Sequence, residues 1–174
     1  MKHTKTIVCS VGAAIALLLT GIVPNEVIVS KKGLELIGNA EQCRLTPYTC
    51  PAGHITNGIG NTHEVSNETI TLKKATKDWA KNIEDAQRCL QQALPNTRVT
   101  QGQYDAFTSF IFNTGCTRFK HNRNGTKTQI YQYVLKGKYI AACHQLNRWI
   151  YGGGVKLKGL VIRRQKETEL CLSR

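Results

Sequence analysis

Gly38-Asn39-Ala40-Glu41-Gln42-Cys43-Arg44-Leu45-Thr46-Pro47-Tyr48-Thr49-Cys50-Pro51-Ala52-Gly53-His54-Ile55-Thr56-Asn57-Gly58-Ile59-Gly60-Asn61-Thr62 is the stretch on which the fold turns. Two kinds of backbone meet in it. Upstream, Lys31–Gln42 carries Leu34, Ile37 and Glu41 at helical spacing, on one face. Downstream, Leu45–Thr62 is punctuated by Pro47, Pro51, Gly53, Gly58 and Gly60 among Thr and Asn residues. Such composition breaks helices and suits short strands joined by tight turns. From Leu72 the helical period returns, with Trp79, Ile83, Ala86, Leu90 and Leu94 at three- and four-residue steps. Tyr104–Phe112, Thr128–Leu135, Tyr139–Trp149 and Leu160–Cys171 read as further helices, and Gly152–Gly154 as a loop. A helix, a small antiparallel sheet and then a mainly helical part make an α+β domain with one core.

Composition narrows the function. The 174 residues are 41% apolar and 20% charged, which excludes a disordered or fibrous chain. Charge is distributed unevenly. Residues 1–116 carry 11 basic and 9 acidic groups, whereas residues 117–174 carry 13 basic and 2 acidic. A basic second half points to an anionic partner such as a nucleic acid, a membrane surface or an acidic wall polymer. The seven cysteines, at positions 9, 43, 50, 89, 116, 143 and 171, include no C-x2-C pair. Zinc modules are therefore excluded, and an oxidising compartment with disulfides is indicated. No metal and no cofactor are expected.

Lys2 and Lys5 precede Thr6–Asn25, twenty residues without a charge. As one helix that segment would span about 30 Å, the depth of a bilayer core. The flanking lysines keep the N-terminus cytoplasmic and export the rest, which disfavours a nucleic-acid role. The segment is weakly apolar, because Gly12, Ala13, Ala14, Ala16, Thr20 and Gly21 dilute its leucines. Three readings compete: a cleaved signal peptide, a permanent anchor, and a marginal helix that enters the membrane and later leaves it. The chain accordingly divides into a membrane segment, 1–25, and a catalytic domain, 26–174.

Glu41 stands at the end of its predicted helix. The negative end of a helix dipole favours the protonated form of a carboxylate, and a general acid needs that form. The pattern around it is Glu41, eight residues, Cys50, five residues, Thr56, then a glycine-rich turn. This segment resembles the active-site segment of T4-type phage lysozymes, the endolysins of glycoside hydrolase family 24. Phe112-Asn113-Thr114-Gly115 and Gly159-Leu160-Val161-Ile162-Arg163-Arg164-Gln165-Lys166-Glu167 resemble two later segments of that family, in the same order. The weakly apolar N-terminus resembles its signal-arrest-release branch.

The resemblance implies a lysozyme-like α+β fold and cleavage of the peptidoglycan bond between N-acetylmuramic acid and N-acetylglucosamine. Glu41 would protonate the glycosidic oxygen. Cys50 stands where most members have Asp, and Thr56 would help place a water. A thiol with a pKa of about 8.5 is a poorer base at neutral pH than a carboxylate, so two roles stay open for Cys50: thiolate base, or water-positioning group. Phe112 and Asn113 are candidates for the sugar cleft, while Arg163 and Arg164 are expected to be solvated or structural. The resemblance also implies a redox switch. A Cys43–Cys50 disulfide would consume the site thiol until Cys9, leaving the membrane, attacks Cys43. The other four cysteines can pair in three ways, and Cys89–Cys171 with Cys116–Cys143 is the expected choice. The implied partners are peptidoglycan, the host inner membrane through residues 6–25, and a holin; the enzyme would act as a monomer, facing the periplasm and then released into it. Two rivals remain, a lytic transglycosylase and a non-catalytic membrane-tethered protein that binds the wall.

Overall fold

The computed structural model describes residues 6–50, 53–95 and 98–173. Lys2, Lys5, Pro51 and Ala52, which entered the sequence argument, lie outside the described residues. The chain divides into two compact units: residues up to Val27 with Ile37–Glu84, and Ile28–Leu36 with the chain from Asp85 onward.

The first unit opens with the segment that the sequence casts as a membrane helix. Here it is folded protein. Val8 makes an antiparallel bridge to Arg44. The Cys9 amide donates to the Cys43 carbonyl at 3.0 Å, and the Leu45 amide to the Ile7 carbonyl at 2.8 Å. Helix α1 (Val11–Leu19) follows, its first turn capped by the Ser10 hydroxyl, which accepts from the Ala13 amide. At nine residues it is about 13 Å long, and among the described residues no helix is long and apolar enough to cross a membrane. Ala14, Ile15 and Leu18 are buried instead in protein.

Helix α2 (Lys31–Glu41) gives its second half to this unit. A Cβ at Gly38 would lie 2.4 Å from Val11 Cγ1 and 3.2 Å from Trp79 Cζ2, so only glycine lets α1 and the Trp79 ring reach the helix there. Trp79 itself is fully buried on α3 (Leu72–Gln91). Strands β1 (Arg44–Thr49) and β2 (Ile55–Gly58) pair antiparallel, with Tyr48 opposite Thr56, Thr49 opposite Ile55 and an irregularity between Arg44 and Tyr48.

The second unit is the helical part. The start of α2 is held by Ser30 and Asp105: the Ser30 amide and hydroxyl both donate to that carboxylate. Helix α4 (Gln101–Thr114) begins with a capping box between Thr100 and Gln103 and is buried from Gln103 to Ile111. The short helices α5 (Cys116–Lys120), α6 (Gln129–Leu135) and α7 (Tyr139–Gln145), and the longer α8 (Lys158–Leu172), complete it. Phe107, Phe110, Phe119, Ile130 and Val134 form its core.

Three local differences from the sequence reading have plain causes. The predicted Tyr139–Trp149 helix ends at Gln145 and passes through one 3-10 turn, Leu146–Arg148, which leaves Trp149 half-buried with Phe110 edge-on at 5.1 Å. The Gly152–Gly154 loop is the turn of a hairpin, β3 (Tyr151–Gly152) and β4 (Val155–Lys156). Gly153 and Gly154 both take positive φ, 57° and 83°, as the two-residue hairpin turns require. The disulfides differ as well. Cys89 bonds Cys116 and Cys143 bonds Cys171, with Cα atoms 5.9 and 5.7 Å apart, in place of the expected Cys89–Cys171 and Cys116–Cys143 pairs. Pairing is decided by which helices pack together, and α7 packs on α8; sequence spacing carries no such information.

Candidate active site

Glu41 is the last residue of α2, and Gln42 ends the helix by taking φ of +61°, the left-handed conformation usual just past a helix C-terminus. That turn frees the chain to enter β1 at Arg44 while the Glu41 side chain stays half-buried. Its carboxylate lies over the glycine turn. A Cβ at Gly60 would stand 2.9 Å from Glu41 Oε2 and 3.2 Å from both Cδ and Cγ. Gly60 also has φ of +69°, so glycine is required there for backbone and for space.

The turn beneath the carboxylate is fixed by buried amides. The Asn57 and Asn61 backbones exchange two hydrogen bonds of 3.0 Å. Asn61 Nδ2 donates to Asn57 Oδ1 at 3.1 Å and to the His63 carbonyl at 2.9 Å, and Asn61 Oδ1 accepts from Asn82 Nδ2 at 3.1 Å. Asn57 and Asn61 are 2% and 4% exposed, so this lattice works in a low-dielectric setting where hydrogen bonds are strong.

Cys50 and Thr56 sit at the turn end of the β1–β2 hairpin. Cys50 is half-buried and outside any disulfide. Its amide donates to the His54 carbonyl at 2.9 Å, and the Thr56 hydroxyl donates to the same carbonyl at 3.1 Å. One acceptor thus ties the two residues together. Thr56 is 3% exposed, and with its proton committed to His54 its oxygen keeps lone pairs that can accept from a water.

Tyr48, opposite Thr56 in the strand register, was missed by sequence reasoning. Burial pushes its hydroxyl above the ordinary tyrosine value; the Arg44 guanidinium opposes this, and Glu41 and Cys50 add to it. The Arg44 guanidinium stacks on its ring at 4.5 Å.

The remaining candidates lie elsewhere. Cys43 bonds Cys9, with Cα atoms 5.0 Å apart, so the expected Cys43–Cys50 bond is not the one formed. The β-bridge of residues 7–9 to β1 brings those two sulfurs together. Phe112 is half-buried and Asn113 exposed, in the second unit. Arg163 and Arg164 are not solvated. They are 6% and 1% exposed and close on Glu167, which is fully buried. Arg163 Nε donates to Glu167 Oε1 at 3.1 Å and Arg164 Nη1 to Oε2 at 2.7 Å, while the Ser109 hydroxyl adds a third donor at 2.7 Å. Arg164 Nη2 also donates to the Asn113 amide oxygen, so this cluster holds the end of α4.

Comparison with known proteins identifies the family. The family model described as phage lysozyme matches residues 38–167. The SAR-endolysin of Escherichia phage P1 is 41% identical over 167 residues, covering 92% of this chain and 90% of that protein. The SAR-endolysin of Haemophilus phage HP1 is 39% identical over 150 residues, covering 83% and 81%. Among solved structures, the active form of the P1 endolysin Lyz matches with a TM-score of 0.85 at 38% identity, covering 95% of this chain and 94% of that one. The secreted inactive form of the same endolysin matches with a TM-score of 0.59 at 40% identity, covering 83% and 95%. With a carboxylate poised over a glycine turn, a hairpin carrying Cys50 and Thr56, and a family match over most of its length, the chain belongs to the phage lysozyme family and is a glycoside hydrolase of cell lysis.

Proposed function

We propose that this chain is an endolysin that hydrolyses the β-1,4 bond between N-acetylmuramic acid and N-acetylglucosamine of peptidoglycan, with Glu41 as general acid. The observation that supports the reading is the Glu41 carboxylate lying over the Gly60 turn that follows the hairpin on which the Cys50 amide and the Thr56 hydroxyl share the His54 carbonyl. Glu41 protonates the leaving glycosidic oxygen. A water on the opposite face of the sugar is held by Thr56 Oγ1, aided by Cys50, and attacks with inversion. Phe112 and Asn113 are the residues of the second unit proposed to contact sugar.

The same proposal covers regulation. Before release, Cys43 and Cys50 are joined and residues 6–25 lie in the host inner membrane, with the catalytic domain, 26–174, in the periplasm. On release, which depends on a holin, the Cys9 thiolate attacks Cys43 Sγ. The Cys43–Cys50 bond breaks, Cys50 leaves as thiolate, and Cys9–Cys43 forms; two-electron balance is kept without an outside oxidant. The Cys9–Cys43 bond with a reduced Cys50 supports this order of events.

The cysteine at position 50 favours one second reading. A lytic transglycosylase needs a single acid and no water nucleophile. Mass spectrometry of fragments from purified peptidoglycan separates the two. Reducing-end products, lost with Glu41→Gln, support hydrolysis; 1,6-anhydro sugars refute it.

A further inference from the structure

Helix α3 touches both the helix that carries Glu41 and the glycine turn beneath that carboxylate. Ala75, Trp79 and Asn82 stand at i, i+4 and i+7 of α3, on one face. The middle residue meets the helix. Trp79 Cζ2 lies 3.2 Å from where a Cβ of Gly38 would stand, and Glu41 is three residues further along α2, about one turn away. The outer two meet the turn. A Cβ at Gly58 would lie 3.4 Å from Ala75 Cβ, and Asn82 Nδ2 donates to Asn61 Oδ1 at 3.1 Å. Ala75 and Trp79 are fully buried, so this part of α3 is close-packed and transmits displacement instead of absorbing it.

Asn82 supplies a polar link in this frame, and its partner has little slack. Asn61 is 4% exposed and uses its whole side-chain amide. Its two N–H groups go to Asn57 Oδ1 at 3.1 Å and to the His63 carbonyl at 2.9 Å. Its oxygen accepts from Asn82 Nδ2 at 3.1 Å and from the His63 amide at 3.3 Å. The Asn61 backbone also closes the turn against that of Asn57. Gly60, beside which the Glu41 carboxylate lies, is the residue before it. Without Asn82 Nδ2, Asn61 Oδ1 retains the longer bond from His63, and a buried acceptor that loses a partner is costly to leave in place.

We propose that Asn82 is a positioning residue: through Asn61 it fixes the glycine turn against which the Glu41 carboxylate is set. The inference rests on Glu41 as general acid. Misplacing that acid slows proton delivery to the leaving oxygen and leaves sugar binding as it was, so the loss falls on kcat and spares KM.

The test is steady-state kinetics of the full chain on two substrates: purified peptidoglycan, and an aryl β-glycoside of its disaccharide whose phenol departs without a proton. The parent is compared with Asn82→Ala, Asn82→Asp, Glu41→Gln and Thr76→Ala. Thr76 is buried on α3 and its hydroxyl donates to the Leu72 carbonyl of the same helix, so Thr76→Ala lowers the Tm and keeps the parent's kcat. Asn82→Ala loses about 10-fold in kcat on peptidoglycan, with KM within about two-fold of the parent. Asn82→Asp turns an acceptor toward Asn61 Oδ1 and loses about as much or more; being the same size as the parent side chain, it carries the comparison if Asn82→Ala does not fold. On the aryl glycoside, which needs little acid assistance, the Asn82 variants and Glu41→Gln stay within about two-fold of the parent. Parent kcat in both Asn82 variants, with Glu41→Gln inactive on peptidoglycan, overturns the inference and leaves the acid reading standing. Equal losses on the two substrates, or a raised KM at unchanged kcat, overturn it as well. A fully active Glu41→Gln overturns the acid reading and this inference with it.

Discussion

Gly60→Ala tests whether the glycine turn positions the general acid. The new methyl arrives 2.9 Å from Glu41 Oε2 and 3.2 Å from its Cδ and Cγ. Ordinary contact would need several tenths of an ångström more, so the carboxylate must swing away or the turn must move. The turn resists, because Asn57, Asn61 and Asn82 pin it from below. The backbone at φ of +69° adds strain of roughly 1–2 kcal/mol for a residue with a Cβ. Gly58→Ala is the matched control. Its φ is +58°, so it carries similar strain, but its Cβ would meet Ala75 Cβ at an ordinary 3.4 Å and does not touch Glu41. Displacing a catalytic group by about 1 Å costs up to about 100-fold in rate. The expected outcome is that both variants lose about 1–2 kcal/mol of stability in urea melts. Only Gly60→Ala loses roughly 10- to 100-fold in kcat on purified peptidoglycan. Equal kcat for the two variants would refute the positioning argument, whatever their stabilities.

Other perturbations reach other parts of the molecule. Glu167→Ala leaves Arg163 and Arg164 buried without their carboxylate and should cost about 3–5 kcal/mol, read as a lowered Tm; a Tm within a degree or two of the parent would show the cluster to be dispensable. Burial pushes the Tyr104 hydroxyl up to about 12 from an ordinary 10. The folded state thus favours the neutral phenol, and its contribution is whole below pH 10 and lost as pH rises toward 12. The loss is roughly 2–3 kcal/mol, so urea melts across that range should show it in the parent and not in Tyr104→Phe. Cys50→Ser cannot form the Cys43–Cys50 bond, so cells should lyse before the normal trigger; on-schedule lysis by an active Cys50→Ser protein would remove the cage.

Much of the fold was legible because helical periodicity and Gly/Pro punctuation are local. The ends of α2 and α6 were read to within a residue, and Leu72 was the start of α3 as the pattern indicated. What escaped was non-local. The uncharged run Thr6–Asn25 has the composition of a membrane segment, and nothing in it reveals that Val8 pairs with Arg44 or that Val11 sits on Gly38. Helix α5, five residues long, is too short for a period to register. For Arg163 and Arg164 the sequence left solvated and structural roles open, and the burial of Glu167, four and three residues on, decides for the structural one. For the candidate site, Glu41, Cys50 and Thr56 were proposed through family spacing. Tyr48 and the asparagine lattice were not, because their roles depend on register and on packing against α3. The family match also sets aside the non-catalytic wall-binding alternative.

The central claim is that the identity of the partner of Cys43 decides whether the site works. Differential alkylation and peptide mapping of the full chain, taken from the membrane and after release, with lytic activity measured on the same samples, tests it directly. The account predicts Cys43 bonded to Cys50 with Cys9 alkylated in the inactive membrane sample, and Cys43 bonded to Cys9 with Cys50 alkylated in the active one. An inactive membrane sample in which Cys50 is already alkylated would contradict it.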